Sequence, residues 1–324
     1  MISIIYREEK DRWIKGDRHV RPLVRKLLRG APARQSGMQK VVANFLRGLE
    51  ILGLEYEFNR SLFRSRGSEK IISFGLGMPG LEGVDRRAPV IAAIGYPYPQ
   101  ELPELCERYN IKKFLQHSDW VLNLAKSAKI YDDKIFDLWS AGIDTGEWRA
   151  AGPSVKKDMD VLIYNKIHWD KEQANADLVQ PVREFLTAGK YSYAEIAYGG
   201  YSPEEYKEKL GRAKAMIFLS AHESQGIAYQ ECLSSGVPVF AWDPGFWLDP
   251  IRFSYGRPIV QATSVPFFDD RCGATFRDLG QFKQKFGEFF ERVRGGGFSP
   301  RDFVLENLSV EKSTLRMLEF YDAI

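Results

Sequence analysis

The chain has 324 residues, 44% of them hydrophobic, with 46 Lys and Arg against 43 Asp and Glu for a formal net charge of +3. That length accommodates two domains of ordinary size, the near-neutral balance points away from nucleic acid as a partner, and no apolar run approaches bilayer-spanning length. Three cysteines (Cys106, Cys232, Cys272) and four histidines show no paired spacing, and Ile2–Tyr6 is short for a leader's apolar core, so the expectation is a reduced, cytoplasmic protein without a zinc site. Ile2-Ser3-Ile4-Ile5-Tyr6 reads as a first strand. Arg7 to Arg34 carries ten basic residues against four acidic ones, a pattern that fits a solvated helix and loop, an anionic acceptor or contact with an anionic membrane surface. Ser36 precedes a helix with Val41, Val42, Phe45, Leu46, Leu49 and Leu52 at helical spacing, which Gly53 stops. Gly37, ahead of that helix, either allows a close approach to the backbone or only makes a turn.

Lys70–Phe74 is a strand, followed by Gly75-Leu76-Gly77-Met78-Pro79-Gly80. This has the G-x-G-x-x-G form, but a dinucleotide site needs a helix directly after the glycines, and Pro79, Gly83 and Pro89 are expected to break one. Pro89–Ile94 is the next strand. Beyond it Tyr96 either offers its hydroxyl for hydrogen bonding or packs on Pro97 and Pro99. Lys113–Gln116 is a strand whose carboxyl end carries His117 and Ser118 before a helix capped by Ser118 or Asp119. Gly152-Pro153-Ser154 looks like a linker, placing a domain boundary near residue 150.

Asp160–Tyr164 opens the second half as a strand, with Lys166 and Lys171 in the loop that follows. Asp158-Met159-Asp160 has the form of a metal-binding D-x-D, but it begins a strand and reads as structural. Tyr193–Tyr198 is a strand turning through Gly199-Gly200-Tyr201 into a helix capped by Ser202 with Pro203 at its first position. Ala215–Leu219 is an apolar run of buried parallel-strand type. A polar loop with Glu223 follows it, Gly226 opens a helix bearing Glu231, Gly236 closes that helix, and Val237–Ala241 is the next strand. In open α/β sheets, ligands sit beyond the carboxyl ends of the strands. The amides of Gln225, Gly226 and Ile227, in the turn that also holds Ser224, can therefore cradle a diphosphate. Glu231 can accept two hydrogen bonds from a vicinal diol such as a ribose, and Glu223 can reach the group beyond the phosphates. Asp243–Trp247 is the turn that follows, Cys272 reads as packed, and amphipathic helices cover residues 279–293, from Ser299 onward, and 308–321.

Glu223 and Glu231, with seven residues between them on a strand–loop–helix frame, resemble the signature of retaining GT-B glycosyltransferases, in particular glycosyltransferase family four. Trp139–Trp148 is similar to the segment that leads into that family's hinge. The resemblance is strongest from Trp139 to Trp242, and Glu223–Glu231 together with Arg301–Asn307 looks like a short bacterial subgroup. It implies an α/β, GT-B fold: two Rossmann-like domains with parallel sheets facing across a crevice, an acceptor-side domain over 1–150, a nucleotide-sugar domain over 151–305, and a C-terminal helix over 306–324 returning to the first. It implies metal-independent transfer of a sugar, with retained configuration and no cofactor, from a UDP- or GDP-type donor to a hydroxyl of a saccharide or lipid-linked acceptor in polysaccharide biosynthesis. Glu223, Lys171 and Lys166 would be catalytic. Gln225, Gly226, Ile227, Glu231, Ser224, Gly199 and Tyr201 would hold the donor, the last two against its base. Gly37, Tyr96 and His117 would lie on the acceptor side. Two departures stand out: Lys166 occupies a position where the family has arginine, losing the bidentate fork, and Gly95-Tyr96 stands where many members carry a donor-contacting histidine. The rival readings are a non-catalytic nucleotide- or sugar-binding protein of the same fold, and a dinucleotide-dependent sugar-modifying enzyme using Gly75–Gly80.

Overall fold

The computed structural model describes residues 1–7, 36–59, 69–75, 78–94, 101–129, 132–152, 154–256 and 259–324. The basic stretch after Arg7 and the candidate Tyr96 lie outside the described residues. The chain forms two compact units: Met1–His117 with Leu122–Gly142 and Glu311–Ile324, and Ser118–Val121 with Ile143–Val310.

The first unit is built on a six-stranded parallel sheet in the order β2-β1-β3-β4-β5-β6. The strands are β1 (Ile2–Arg7), β2 (Tyr56–Phe58), β3 (Ile71–Gly75), β4 (Val90–Ala93), β5 (Ile111–Gln116) and β6 (Phe136–Leu138). Every residue of β3 and β4 is buried, as a parallel strand covered on both faces requires. Helix α1 (Gly37–Ile51) begins as its sequence predicts. The Ser36 hydroxyl accepts from the Gln39 amide at 3.1 Å and the Gln39 side chain accepts from the Ser36 amide at 2.9 Å, a reciprocal cap that satisfies two orphan donors. Its buried face, Val41, Val42, Phe45 and Leu49, brings Phe45 against Phe74 and Trp139. One expectation is corrected here. A single helical turn, α2 (Met78–Leu81), does follow the glycines, because a proline in a first turn removes no needed donor; Gly83, at φ +84°, comes two residues after it. Helices α3 (Leu102–Arg108) and α4 (Asp119–Ser127) come next in the chain. The last helix, α11 (Val310–Ala323), is tied within this unit: the Trp139 indole donates to the Ser313 carbonyl at 2.8 Å, and Lys70 Nζ donates to the Tyr321 carbonyl at 2.9 Å.

The second unit holds a five-stranded parallel sheet in the order β11-β10-β9-β7-β8. Its strands are β7 (Met159–Asn165), β8 (Tyr193–Ala197), β9 (Ala213–Leu219), β10 (Val239–Trp242) and β11 (Gly273–Phe276). From β7 the chain moves to β8 on one side and then to β9 on the other, so the winding direction reverses between β7 and β9. Alternation along the strands makes two core layers. Leu162, Tyr164, Met216 and Phe218 pack with Tyr206 and Leu210 of α7 (Pro203–Arg212) and Tyr229 and Leu233 of α8 (Ile227–Ser234). Val161, Ile163, Ala215 and Ile217 pack on the other face with Leu178 and Val182 from the helical stretch that begins at α5 (Lys171–Ala174), passes a π turn at Asn175–Val179 and ends as α6 (Gln180–Ala188), and with Phe282, Phe286 and Phe290 of α9 (Leu279–Arg294). Each buried phenylalanine in this layer contributes about 1.5–3 kcal/mol of transfer free energy. Helix α10 (Pro300–Asn307) supplies Phe303 and Val304 to the first layer.

Asp158 pairs with Arg212 at 3.0 Å, and Asp160 pairs with Lys214 at 2.8 Å and accepts from the Ser192 hydroxyl. The D-x-D is a structural feature of the sheet's amino edge. Gly273, at φ +145°, begins β11; a Cβ there would fall 1.9 Å from the Val239 carbonyl oxygen, so only glycine lets β11 lie against β10.

Candidate functional site

The carboxyl ends of β7 and β9 flank the winding reversal, the place where an open α/β sheet leaves a crevice. After β7 the chain gives Lys166, whose backbone amide donates to the Leu219 carbonyl at 2.8 Å. After β9 it gives Ser220 to Glu223. The Lys166 ammonium contacts both carboxylate oxygens of Glu223, at 2.7 and 2.8 Å, and the Ser220 hydroxyl donates to the same carboxylate at 2.9 Å. Glu223 is 6% exposed, and burying a carboxylate is costly unless a close cation and hydrogen bonds meet it. Its backbone is fixed as well: its amide donates to the Thr263 carbonyl at 2.9 Å, and the Trp120 indole donates to its carbonyl at 2.8 Å. Asp243, at the end of β10, holds the Thr263 segment through the Thr263 hydroxyl at 2.7 Å and the Ser264 amide at 3.1 Å.

Gly226 caps α8 in the left-handed region at φ +77°, and the first helical bond runs from the Gln230 amide to its carbonyl at 3.2 Å. A Cβ at this position would come 2.0 Å from Tyr229 Cε1, and Tyr229 is fully buried. Both the backbone angle and the phenol ring beneath therefore demand glycine. The Gln225 and Gln230 side chains lock the turn, with Gln225 Nε2 donating to Gln230 Oε1 at 3.0 Å and Gln230 Nε2 donating to the Gln225 carbonyl at 2.7 Å. The amides of Ile227, Ala228 and Tyr229 precede the first helical acceptor-bonded amide, so this turn presents donors and the positive end of the helix. Ser224 is exposed, and Ile227 is half-buried.

The other expected residues fall as follows. Lys171 is the exposed first residue of α5. Its charge and that of Lys166 add to burial in pushing His168 below the ordinary histidine range, so the two lysines act on one place. Glu231, on α8, is 2% exposed and lies close enough to Tyr164 and Tyr206 to help raise both phenols, after the larger effect of burial. Gly199 takes φ +103°. The Tyr201 hydroxyl is 2.5 Å from that of Tyr164, and its ring packs on Tyr164 and Tyr206, so one edge of this ring is committed to the core. In the first unit, Gly37 is exposed with open space around its Cβ position. His117 has a buried Nδ1 with no hydrogen-bond partner among the described residues, and burial pushes its pKa down to about 4.

Four residues were not legible beforehand. Tyr198 is 43% exposed, with Lys166 Nζ 4.8 Å from its ring centroid and the His168 ring near-perpendicular to it at 5.3 Å. His222 and Trp247 form an aromatic group with Trp120, at centroid distances of 5.8–6.3 Å. Burial lowers the His222 pKa against the opposing pull of Glu223 and Asp249. The position of His222 directly before Glu223 was the only available signal. Among the described residues no cluster of three or more His, Cys, Asp or Glu could hold a metal ion, and no helix is long and apolar enough to cross a membrane.

No protein-family model and no curated protein matches the chain by sequence. Solved structures do match by shape. AviGT4, a glycosyltransferase involved in avilamycin A biosynthesis, superposes with a TM-score of 0.60 at 15% identity, covering 99% of this chain and 97% of its own. The lipopolysaccharide outer core galactosyltransferase WaaB in its apo form gives 0.56 at 10% identity with full coverage of both chains. Anabaena Alr3699/HepE in complex with UDP and glucose gives 0.56 at 9% identity, again over 100% of both. With its two parallel-sheet α/β units, the chain has the GT-B fold of these glycosyltransferases.

Proposed function

We propose that the chain is a retaining, metal-independent glycosyltransferase that moves a sugar from a nucleoside diphosphate sugar to a hydroxyl acceptor, a saccharide or a lipid-linked one. The observation that carries this reading is the Lys166–Glu223 pair, set beside the α8 amino terminus at the point where the sheet reverses its winding. In this reading the diphosphate lies on the turn Gln225–Ile227 and draws Lys166 and Lys171 to its oxygens. Glu231 takes the ribose diol, and Gly199 and Tyr201 border the base. The barrier to transfer lies in breaking the bond between the sugar's anomeric carbon and the diphosphate oxygen. Ammonium groups and amides aimed at the departing oxygen lower it. As that bond opens, the acceptor oxygen attacks the same face of the sugar, and its proton passes to the leaving diphosphate. Glu223, freed from Lys166, stabilises the positive centre or orients the donor's hydroxyls. His117 and Gly37 belong to the acceptor side.

Incubation with a panel of UDP- and GDP-sugars, scored for released nucleoside diphosphate with and without EDTA, tests this. Release that persists in EDTA and falls in Lys171→Ala is expected. Binding without release from any donor would overturn catalysis in favour of a non-catalytic nucleotide-binding protein, and a strict divalent requirement would overturn the metal-free mechanism.

A further inference from the structure

The second unit contains a cavity of about 220 Å³ at the same sheet edge. Ile167, Leu178 and Trp242 in its wall pack with the core layer on the face opposite α8, so it is a separate space from the turn at Gly226. It nevertheless touches the site, since His168 and Ala221, each two residues from a member of the Lys166–Glu223 pair, also line it. An apolar cavity of about 150 Å³ accommodates a six-membered carbon ring, so this one has room for a single ring with polar substituents.

Its chemistry is divided. Trp169, Trp242 and Leu248 give flat apolar surface. Trp169 is 38% exposed, whereas Trp242 has its indole N–H committed to the Arg277 carbonyl at 3.0 Å and offers only its ring. The lining also holds two carboxylates. Asp177 accepts from Gln173 at 2.7 Å and retains further lone pairs. Asp170 stands before α5 in the left-handed region at φ 46° and makes no side-chain capping bond, although an aspartate in that position ordinarily caps. No lysine or arginine is among the described residues lining the cavity, although Lys166 and Lys171 act on His168 in its wall. Carboxylates repel an anion and accept hydrogen bonds from hydroxyl or ammonium groups, while aromatic surface covers the C–H face of a ring.

We infer that this cavity is a saccharide subsite that takes one neutral or amino-bearing pyranose unit, stacked on Trp169 with its hydroxyls on Asp170 and Asp177. In a transferase such a subsite holds part of a saccharide acceptor, and that role rests on the reading above; the binding of the sugar does not.

Saturation-transfer NMR on the full chain with methyl α-D-glucopyranoside, methyl α-D-glucosaminide and glucose 6-phosphate tests it, with UDP affinity measured on the same samples. The neutral or amino sugar should receive transfer and the phosphate ester less. Trp169→Ala should weaken sugar binding about tenfold, Trp169→Phe should retain it, and UDP affinity should be unchanged in both. No transfer to either glucoside, a preference for the phosphate ester, or equal binding in Trp169→Ala and Asp170→Asn would overturn the assignment. Sugar binding without nucleoside diphosphate release from any donor would sustain the subsite while removing the transferase reading.

Discussion

The two parallel sheets treat polarity differently at their carboxyl edges. In the second unit, Lys166 and Glu223 follow β7 and β9 and pair with each other, with Ser220 as an added donor. In the first unit, β5 leads into His117, a titratable group that burial holds neutral. Charge at a strand end withstands desolvation only where a counterion is built in; otherwise the group sheds it. In the proposed reading, the paired edge meets the anionic diphosphate and the neutral edge meets an uncharged hydroxyl.

The strongest test of this contrast is Glu223→Gln. It removes the carboxylate but leaves Lys166 free for phosphate, so turnover should fall by about two to three powers of ten while nucleoside diphosphate affinity, read by calorimetry, stays level or tightens. Equal losses in both would mean that Glu223 only props up the loop. Gly226→Ala should come next, costing roughly 2–4 kcal/mol in denaturant unfolding and weakening diphosphate binding, because the added Cβ falls 2.0 Å from a buried ring. Lys166→Ala strands a buried carboxylate and should cost about 1–3 kcal/mol, with the double variant Lys166→Ala/Glu223→Gln recovering part of it; no recovery would deny the pairing its structural role.

The smallest effect concerns the neutral edge. With the folded His117 pKa near 4 against an ordinary 6.5, the unfolded chain binds the proton first as pH falls. Stability is then full above 6.5 and declines toward 4. His117→Gln should flatten that decline by roughly 1–3 kcal/mol, measured as Tm against pH.

Much of this frame can be read from the chain. Val161–Tyr164 and Ala215–Leu219 are unbroken apolar runs, and such runs in parallel sheets are buried on both faces; Ser36 and Ser202 announce their helices by local chemistry alone. The stretch Lys171–Ala188 is less legible, since Asn175-Ala176-Asp177 sits in a π turn that shifts the helical period. The four residues of β11 carry too little pattern to separate from a loop. At the candidate site, Glu223 and Glu231 stand out by their spacing on a strand–loop–helix frame, whereas Lys166 and Lys171 are singled out only by the family resemblance. Tyr198, Trp120 and Trp247 do not stand out, because only the fold carries them to Lys166 and Glu223 from distant positions.

One phenol has a practical reach. Tyr229 fills the space under Gly226, and its hydroxyl both accepts from the Phe267 amide at 3.1 Å and meets Gln230, so residues 225, 226, 229 and 230 form one interlocked piece. Substitution at any of the four positions disturbs the packing of the others. The exposed Ser224 is the position in that turn where side chains can be exchanged freely, and retuning should begin with it.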